Sequence, residues 1–199
     1  MKWLILAALA AMLAVAGCSG KATTLADLKD VPAEGETGEI TYEDSGGIQA
    51  AATTTGIEKG NIAPDFAVTA TDGKEIRMAE LREAGPPVVV YFWATWCPYC
   101  KADLENVRKV YPEYADKVRF VAIDLDLNEN AKLIAEYKQK GGHELIDFAP
   151  GYEQVLRDYS VTHTTTKYAV GRDGRILWKG SGVADVETWK ILLKGLAES

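Results

Sequence analysis

The chain has 199 residues, with 22 basic against 29 acidic side chains for a formal charge of −7, and 47% of it is apolar. That supports one globular domain of ordinary size plus extensions. A net negative charge without a basic block excludes a surface that tracks phosphates, so nucleic acid is set aside as a partner.

Residues 1–17 read as an export signal: Lys2 supplies the positive start, and Trp3 to Gly17 form an apolar run rich in Ala and Leu. The run is too short to span a bilayer, where about 20 residues are needed. It ends in Val15-Ala16-Gly17-Cys18, which resembles the bacterial lipobox, where the cysteine is acylated and becomes the new N-terminus. The resemblance implies lipidation at Cys18 and an exported, membrane-anchored lipoprotein facing the periplasm or the outer cell surface. Removing the signal leaves 21 basic and 29 acidic side chains, a balance of −8, so the lipid and not charge supplies membrane binding. Residues 18–56 are thin in large apolar side chains and rich in Thr, Ala, Gly and acids. They read as a flexible tether, because no face there buries enough surface to offset ordering entropy.

The folded domain is expected over 57–199. Phe66 to Thr69 is a short strand candidate, Thr71-Asp72-Gly73-Lys74 a turn, and Met78 to Arg82 a helical turn before Gly85-Pro86-Pro87. Val88 to Trp93 is apolar without alternation, the pattern of a central strand covered on both faces. Beyond Cys97 the period becomes helical through Cys100, Leu104, Val107, Tyr111 and Tyr114, with Pro112 ending or kinking the helix. Val118 to Ile123 reads as a second buried strand. Asn128 or Asn130 caps a helix carrying Leu133, Ile134 and Tyr137 that stops at Gly141-Gly142, and His143 follows in a loop. Tyr152 to Tyr159 is a further short helix. Lys167 to Val170 and Arg175 to Trp178 flank Arg172-Asp173-Gly174 as a hairpin, and Asp185 caps a last amphipathic helix through Leu196. Strands alternating with helices, then a hairpin and a helix, give an α/β sandwich.

With Cys18 assigned to lipid, Cys97 and Cys100 are the remaining cysteines. A bridge between them closes a four-residue loop, worth roughly 2 kcal/mol against about 3 for fifteen residues, so chemistry explains the pair better than stapling does. A closed zinc site would need two more ligands, and the domain has only His143 and His163, neither in ligand-pair spacing. Cys97 precedes the first turn of a helix, where free backbone N–H groups and the helix dipole favour a thiolate. Pro98 suits the first helical position. Cys97 is therefore expected to be the exposed nucleophile, and Cys100, one turn inside, the resolving thiol.

The run Phe92-Trp93-Ala94-Thr95-Trp96-Cys97-Pro98-Tyr99-Cys100 stands in order with Ala63-Pro64-Asp65-Phe66, Asp72-Gly73-Lys74, and Tyr159-Ser160-Val161 leading to Asp173-Gly174. In that combination the chain resembles the thioredoxin superfamily, and more closely the exported TlpA/ResA-like thiol-disulfide oxidoreductases, over roughly residues 61–196. The resemblance implies a thioredoxin-like three-layer sandwich, a central mixed sheet flanked by helices, with an extra β/α segment around 128–159. It implies a protein disulfide reductase type of activity that needs no cofactor beyond the redox-active Cys97–Cys100 disulfide. Its partners would be protein thiols and disulfides, with an upstream membrane electron donor. The substrate-contact surface would comprise Trp96, Pro98, Tyr99, Thr164 and Thr165.

Three positions depart from the family pattern. Where thioredoxins place a buried carboxylate, six residues before the first cysteine, this chain has Tyr91. Where ResA-like reductases often carry Glu, three residues after the second cysteine, it has Asp103, which reads either as a proton relay or as a solvated first-turn acid. The family's cis-proline is replaced within Thr164-Thr165-Thr166, so a trans peptide is expected at Thr165. The lost proline leaves the thiols more open to soft metal ions. The stretch Val161 to Tyr168 with Gly171-Arg172-Asp173-Gly174 also resembles the histidine segment of Sco copper chaperones. That alternative implies a copper-binding metallochaperone using Cys97, Cys100 and His163, although Sco proteins space their cysteines one residue wider.

Overall fold

The computed structural model describes residues 24–25 and 54–199. The signal segment, Cys18 and nearly all of the expected tether lie outside the described residues. Leu25, within that tether, packs against the domain core, and its side chain lies where a Cβ on Gly195 would fall. Just ahead of Ile57, Thr55 forms a bridge with Ile62.

Strands β1 (Ala67–Thr69) and β2 (Glu75–Arg77) form a small antiparallel hairpin across the turn at Gly73, whose φ of 86° suits glycine. Helix α1 (Met78–Ala84) follows directly and ends on Gly85 in the left-handed region. The main sheet is built from β3 (Val88–Trp93), β4 (Arg119–Asp124), β5 (Asp147–Ala149), β6 (Lys167–Val170) and β7 (Ile176–Gly180) in the order β5-β4-β3-β6-β7. β3 runs parallel to β4 and β4 parallel to β5, whereas β6 and β7 are antiparallel. A central mixed sheet flanked by helices is the fold expected.

β3 lies at the centre and is buried at all six positions. Its alternation still divides the core: Val89, Tyr91 and Trp93 face one layer, and Val88, Val90 and Phe92 face the other. The first layer holds α2 (Pro98–Val110), α3 (Ala131–Gly141) and α5 (Val186–Ala197), and the second holds α1, α4 (Glu153–Asp158) and the β1–β2 hairpin. Burying each large apolar side chain of β3 contributes about 1.5–3 kcal/mol, which fixes the strand whose C-terminal end carries the cysteines. α2 buries Cys100, Leu104 and Val107 as the periodicity requires, and Pro112 turns its end into a short 3₁₀ segment, Tyr111–Glu113.

The caps follow the sequence. Asn130 accepts from the Leu133 amide at the start of α3, Asp185 accepts from the Thr188 amide at the start of α5, and Gly142 closes α3 in the left-handed region. Leu133 departs from expectation: it is exposed, because α3 turns Ile134 and Tyr137 inward instead. His143 follows α3 in a loop, as expected. It is buried, stacked on Tyr137 at 6.2 Å between ring centres.

Candidate active site

The cysteine pair stands where the buried β3 gives way to α2. Cys97 and Cys100 are joined by a disulfide with Cα atoms 5.3 Å apart, a separation ordinary for such a bond. Cys97 is the N-cap of α2: its Sγ accepts from the Cys100 amide at 3.0 Å, with Pro98 at the first turn. The sulfur thus takes one of the N–H groups that a helix start leaves unpaired, and the helix dipole favours negative charge there. This is the local field that makes a thiolate accessible at neutral pH.

Cys97 does not face solvent as expected. It is 2% exposed and belongs to the core cluster, with Cys100 fully buried one turn inside. The cover comes from another part of the chain. Thr164 Oγ1 lies 3.2 Å from Cys97 Sγ, and since a disulfide sulfur carries no hydrogen, the hydroxyl is the donor. The residues on either side remain at the surface, Trp96 at 60% and Tyr99 at 68% exposure, with Pro98 exposed between the cysteines. The sulfur is roofed by one hydroxyl at an aromatic-rimmed surface. A cavity of about 410 Å³ lined by Thr95, Lys101, Glu105, Tyr137, Lys140 and His143 adjoins the motif and includes neither cysteine.

Asp103 is no solvated acid. It is fully buried on the same stripe of α2 as Cys100. Its Oδ1 accepts from Trp189 Nε1 at 2.7 Å and from the Ala184 amide at 2.9 Å, and its Oδ2 meets Lys167 Nζ at 2.7 Å. Lys167, equally buried on β6, also donates to the Gly182 carbonyl at 2.5 Å. Burial pushes the Lys167 ammonium down, and the Asp103 carboxylate opposes that. Tyr91, which pairs with Lys167 across β3 and β6, is held well above the usual phenol range by burial first and Asp103 second. It is a neutral hydroxyl where thioredoxins place a charge.

On the opposite side of the motif lies a second buried carboxyl. Asp124, paired with Trp93 in the sheet, accepts from the Asp126 amide at 2.7 Å through Oδ1, while its Oδ2 accepts nothing. Burial, followed by the Glu129 carboxyl beside it, pushes Asp124 up to about 8. Glu129 in turn accepts from the Thr95 amide at 2.9 Å and bonds the Thr95 hydroxyl, and Trp96 Nε1 donates to Asp126 Oδ2 at 2.9 Å. The β4–α3 loop therefore grips the two residues just before Cys97.

Of the expected contact residues, Trp96, Pro98, Tyr99 and Thr164 gather around the disulfide. Thr165 does not. Its side chain is buried and donates to the Gly182 carbonyl at 2.8 Å, so only its backbone is left for a partner. The Thr165 peptide is trans, as are all peptides among the described residues. His163 is exposed, its Nδ1 3.0 Å from Thr162 Oγ1, and it does not join the cysteines in any group of three metal-ligating side chains among the described residues. Sequence reasoning missed Lys167, Asp124 and Glu129; a lysine opening the otherwise apolar strand Lys167 to Val170 was the one signal available.

Residues 59–179 match the family model described as the AhpC/TSA family. The chain belongs to that family. It is 27% identical over 148 residues to the thiol-disulfide oxidoreductase ResA of Bacillus thuringiensis subsp. konkukian, covering 69% of this chain and 78% of the relative. It is 34% identical over 125 residues to the thioredoxin-like protein YneN of Bacillus subtilis, covering 61% and 70% respectively. In structure it is similar to a thiol:disulfide interchange protein of the thioredoxin family from Chlorobium tepidum, with a TM-score of 0.62 at 22% identity, covering 70% of this chain and 98% of the other. The thioredoxin-like fold, the family and the cysteine pair together make this AhpC/TSA member a redox enzyme of thiol–disulfide type.

Proposed function

We propose that the protein is exported, lipid-anchored at Cys18, and exchanges electrons with protein dithiols through a mixed disulfide. One observation carries the reading: Cys97 and Cys100 are bonded at the N-terminus of α2, with the Cys97 sulfur on a helix amide and beneath the Thr164 hydroxyl. Both donors favour negative charge on that sulfur when the bond opens.

In the reductive direction the Cys97 thiolate attacks a partner disulfide, forming a Cys97–partner bond and releasing one partner thiolate. Cys100 then gives up its proton and attacks the Cys97 sulfur, closing the Cys97–Cys100 bond and releasing the second partner thiolate. The partner gains two electrons and its two thiolates take up protons from solvent, while the Cys97–Cys100 pair loses two electrons in forming its disulfide. Asp103 accepts the Cys100 proton, a role supported by its burial one turn beyond Cys100 on the same stripe of α2. An upstream electron donor in the membrane returns the dithiol to the reduced state. Trp96, Pro98, Tyr99 and the Thr164–Thr165 backbone form the docking rim, and its openness suits a polypeptide better than a small enclosed ligand.

The test is turnover of insulin disulfides by the full chain. Cys97→Ser lowers the rate by about three orders of magnitude or more, and Cys100→Ser accumulates a covalent adduct visible on a non-reducing gel. Turnover surviving in Cys97→Ser overturns the reading. Cys18→Ser releases the protein from the membrane fraction; membrane retention in that variant removes the lipid anchor.

A further inference from the structure

A lysine and a carboxylate taken fully out of water are a costly pair, and such pairs persist where each charge has hydrogen bonds of its own. Asp103 and Lys167 meet that condition. The carboxylate receives Trp189 Nε1, the Ala184 amide and the Lys167 ammonium, and the ammonium has the Gly182 carbonyl as a second partner. The ammonium also lies 5.6 Å from the Tyr91 ring centre and 5.4 Å from that of Trp189, within range of both aromatic faces. The Gly182 carbonyl is shared: it accepts from Thr165 Oγ1 as well, next to the Thr164 that roofs Cys97. Lys167 thus joins the acid beneath Cys100 to the loop above Cys97.

We propose that Lys167 is the positioning residue for the Asp103 carboxylate, holding it charged and aimed in the interior so that it can take the Cys100 proton. The assignment rests on Asp103 being the proton acceptor, as proposed above. In the resolving step the Cys100 S–H breaks, its proton passes to the carboxylate, the Cys97–Cys100 bond forms, and the partner thiolate leaves with the electron pair of the cleaved Cys97–partner bond. The titratable groups against the carboxylate are Lys167 from β6 and Tyr91 from β3, with Cys100 one turn earlier on the same stripe of its own helix, while Trp189 of α5 and Ala184, two residues ahead of α5, bring N–H donors. Tyr91 stays neutral, so the ammonium is the group that sets the local charge. Without it a buried carboxylate with two neutral donors takes up a proton more readily and ceases to be an acceptor in acid.

The experiment follows insulin reduction by the full chain from roughly pH 5 to 9. Lys167→Met moves the acid limb up by about one pH unit or more, lowering turnover about tenfold at the acid end and leaving it within about twofold of wild type at the alkaline end. Lys167→Arg, which keeps the charge, returns the limb toward wild type. Asp103→Asn loses the limb, and the double variant Lys167→Met/Asp103→Asn superimposes on Asp103→Asn, because Lys167 acts only through Asp103. That double variant leaves no orphaned charge and serves if Lys167→Met alone does not fold. A pH-independent loss in Lys167→Met, or a double variant slower than Asp103→Asn, makes Lys167 structural and overturns the proposal. Asp103→Asn with the wild-type profile overturns the acceptor reading itself. Asp103→Asn without the limb, alongside an unmoved limb in Lys167→Met, removes Lys167 alone.

Discussion

Asp103 and Asp124 are both fully buried, and they flank the cysteine motif on opposite sides, one in α2 and the other at the end of β4. Their partners differ in kind. Asp103 faces an ammonium and two N–H donors, so its charge is answered on both oxygens. Asp124 faces another carboxyl, Glu129, with one oxygen unanswered, so a proton is the cheapest way to reconcile the two acids. Two carboxyls of equal burial are thus assigned different duties by their neighbours. One is a resident charge, and the other holds a proton that leaves near neutral to mildly alkaline pH.

The largest effect comes from breaking the first of these arrangements from its cationic side. Lys167→Ala leaves the Asp103 carboxylate without its counter-charge and the Gly182 carbonyl without one of its two donors. It is expected to cost about 3–5 kcal/mol, the range for stranding a buried charge. Urea unfolding of the full chain checks it. A loss below about 1 kcal/mol would mean that water or a shifted backbone replaces the ammonium, and the contrast with Asp124 would disappear.

The second arrangement is tested through pH. Asp124 rises from 3.8 to about 8 on folding, so between those values the native state holds a proton that the unfolded chain has released. Its contribution to stability is complete below about pH 4, declines as pH rises, and is gone once pH passes about 8, with a slope of at most about 1.4 kcal/mol per pH unit. Asp124→Asn keeps an acceptor for the Asp126 amide and a donor toward Glu129 without titrating. The expected outcome is a Tm that falls less steeply from about pH 5 to about pH 8 than in wild type. Parallel Tm curves for the two proteins would show that the acid pair does not carry this proton.

What could be read from the sequence divides along the same line as these two sites. β3, the stripe of α2 and the caps Asn130 and Asp185 were legible because each is set by residues within a turn or a strand of one another. β2 and β5 were not. Each has three residues, too few for a period to show, and each is fixed by a neighbouring strand. The cysteine pair was legible as a motif, but its burial was not, since Thr164 arrives from the loop before β6. Asp103 was visible as a position and ambiguous as a charge. Its meaning depends on Lys167, which a composition argument places on the surface. Asp124 and Glu129 carried no sequence signal of burial for the same reason.

The roof over Cys97 tells the two flanks apart at the sulfur itself. Thr164→Val keeps the shape of the cover and removes its hydroxyl, while the Cys100 amide still donates. A hydrogen bond to a charged group is worth about 1.5–3 kcal/mol, so the Cys97 thiol is expected to ionise about one pH unit or more higher in the variant. Alkylation of the reduced protein across pH reads this directly. An unchanged profile would mean that the thiolate, once formed, has turned away from Thr164, and that the helix amides alone hold it.

The smallest expected effect is on the β4–α3 loop. Trp96→Phe deletes the indole donor to Asp126 and leaves the Glu129 grip on Thr95 in place. Because Trp96 is 60% exposed, water replaces the lost bond, and stability is expected to change by no more than about 0.5 kcal/mol. A larger loss, appearing only above about pH 8 where Asp124 is charged, would show that the indole becomes the loop's main tie once the two acids repel. The Asp124 side would then act on the motif through Trp96.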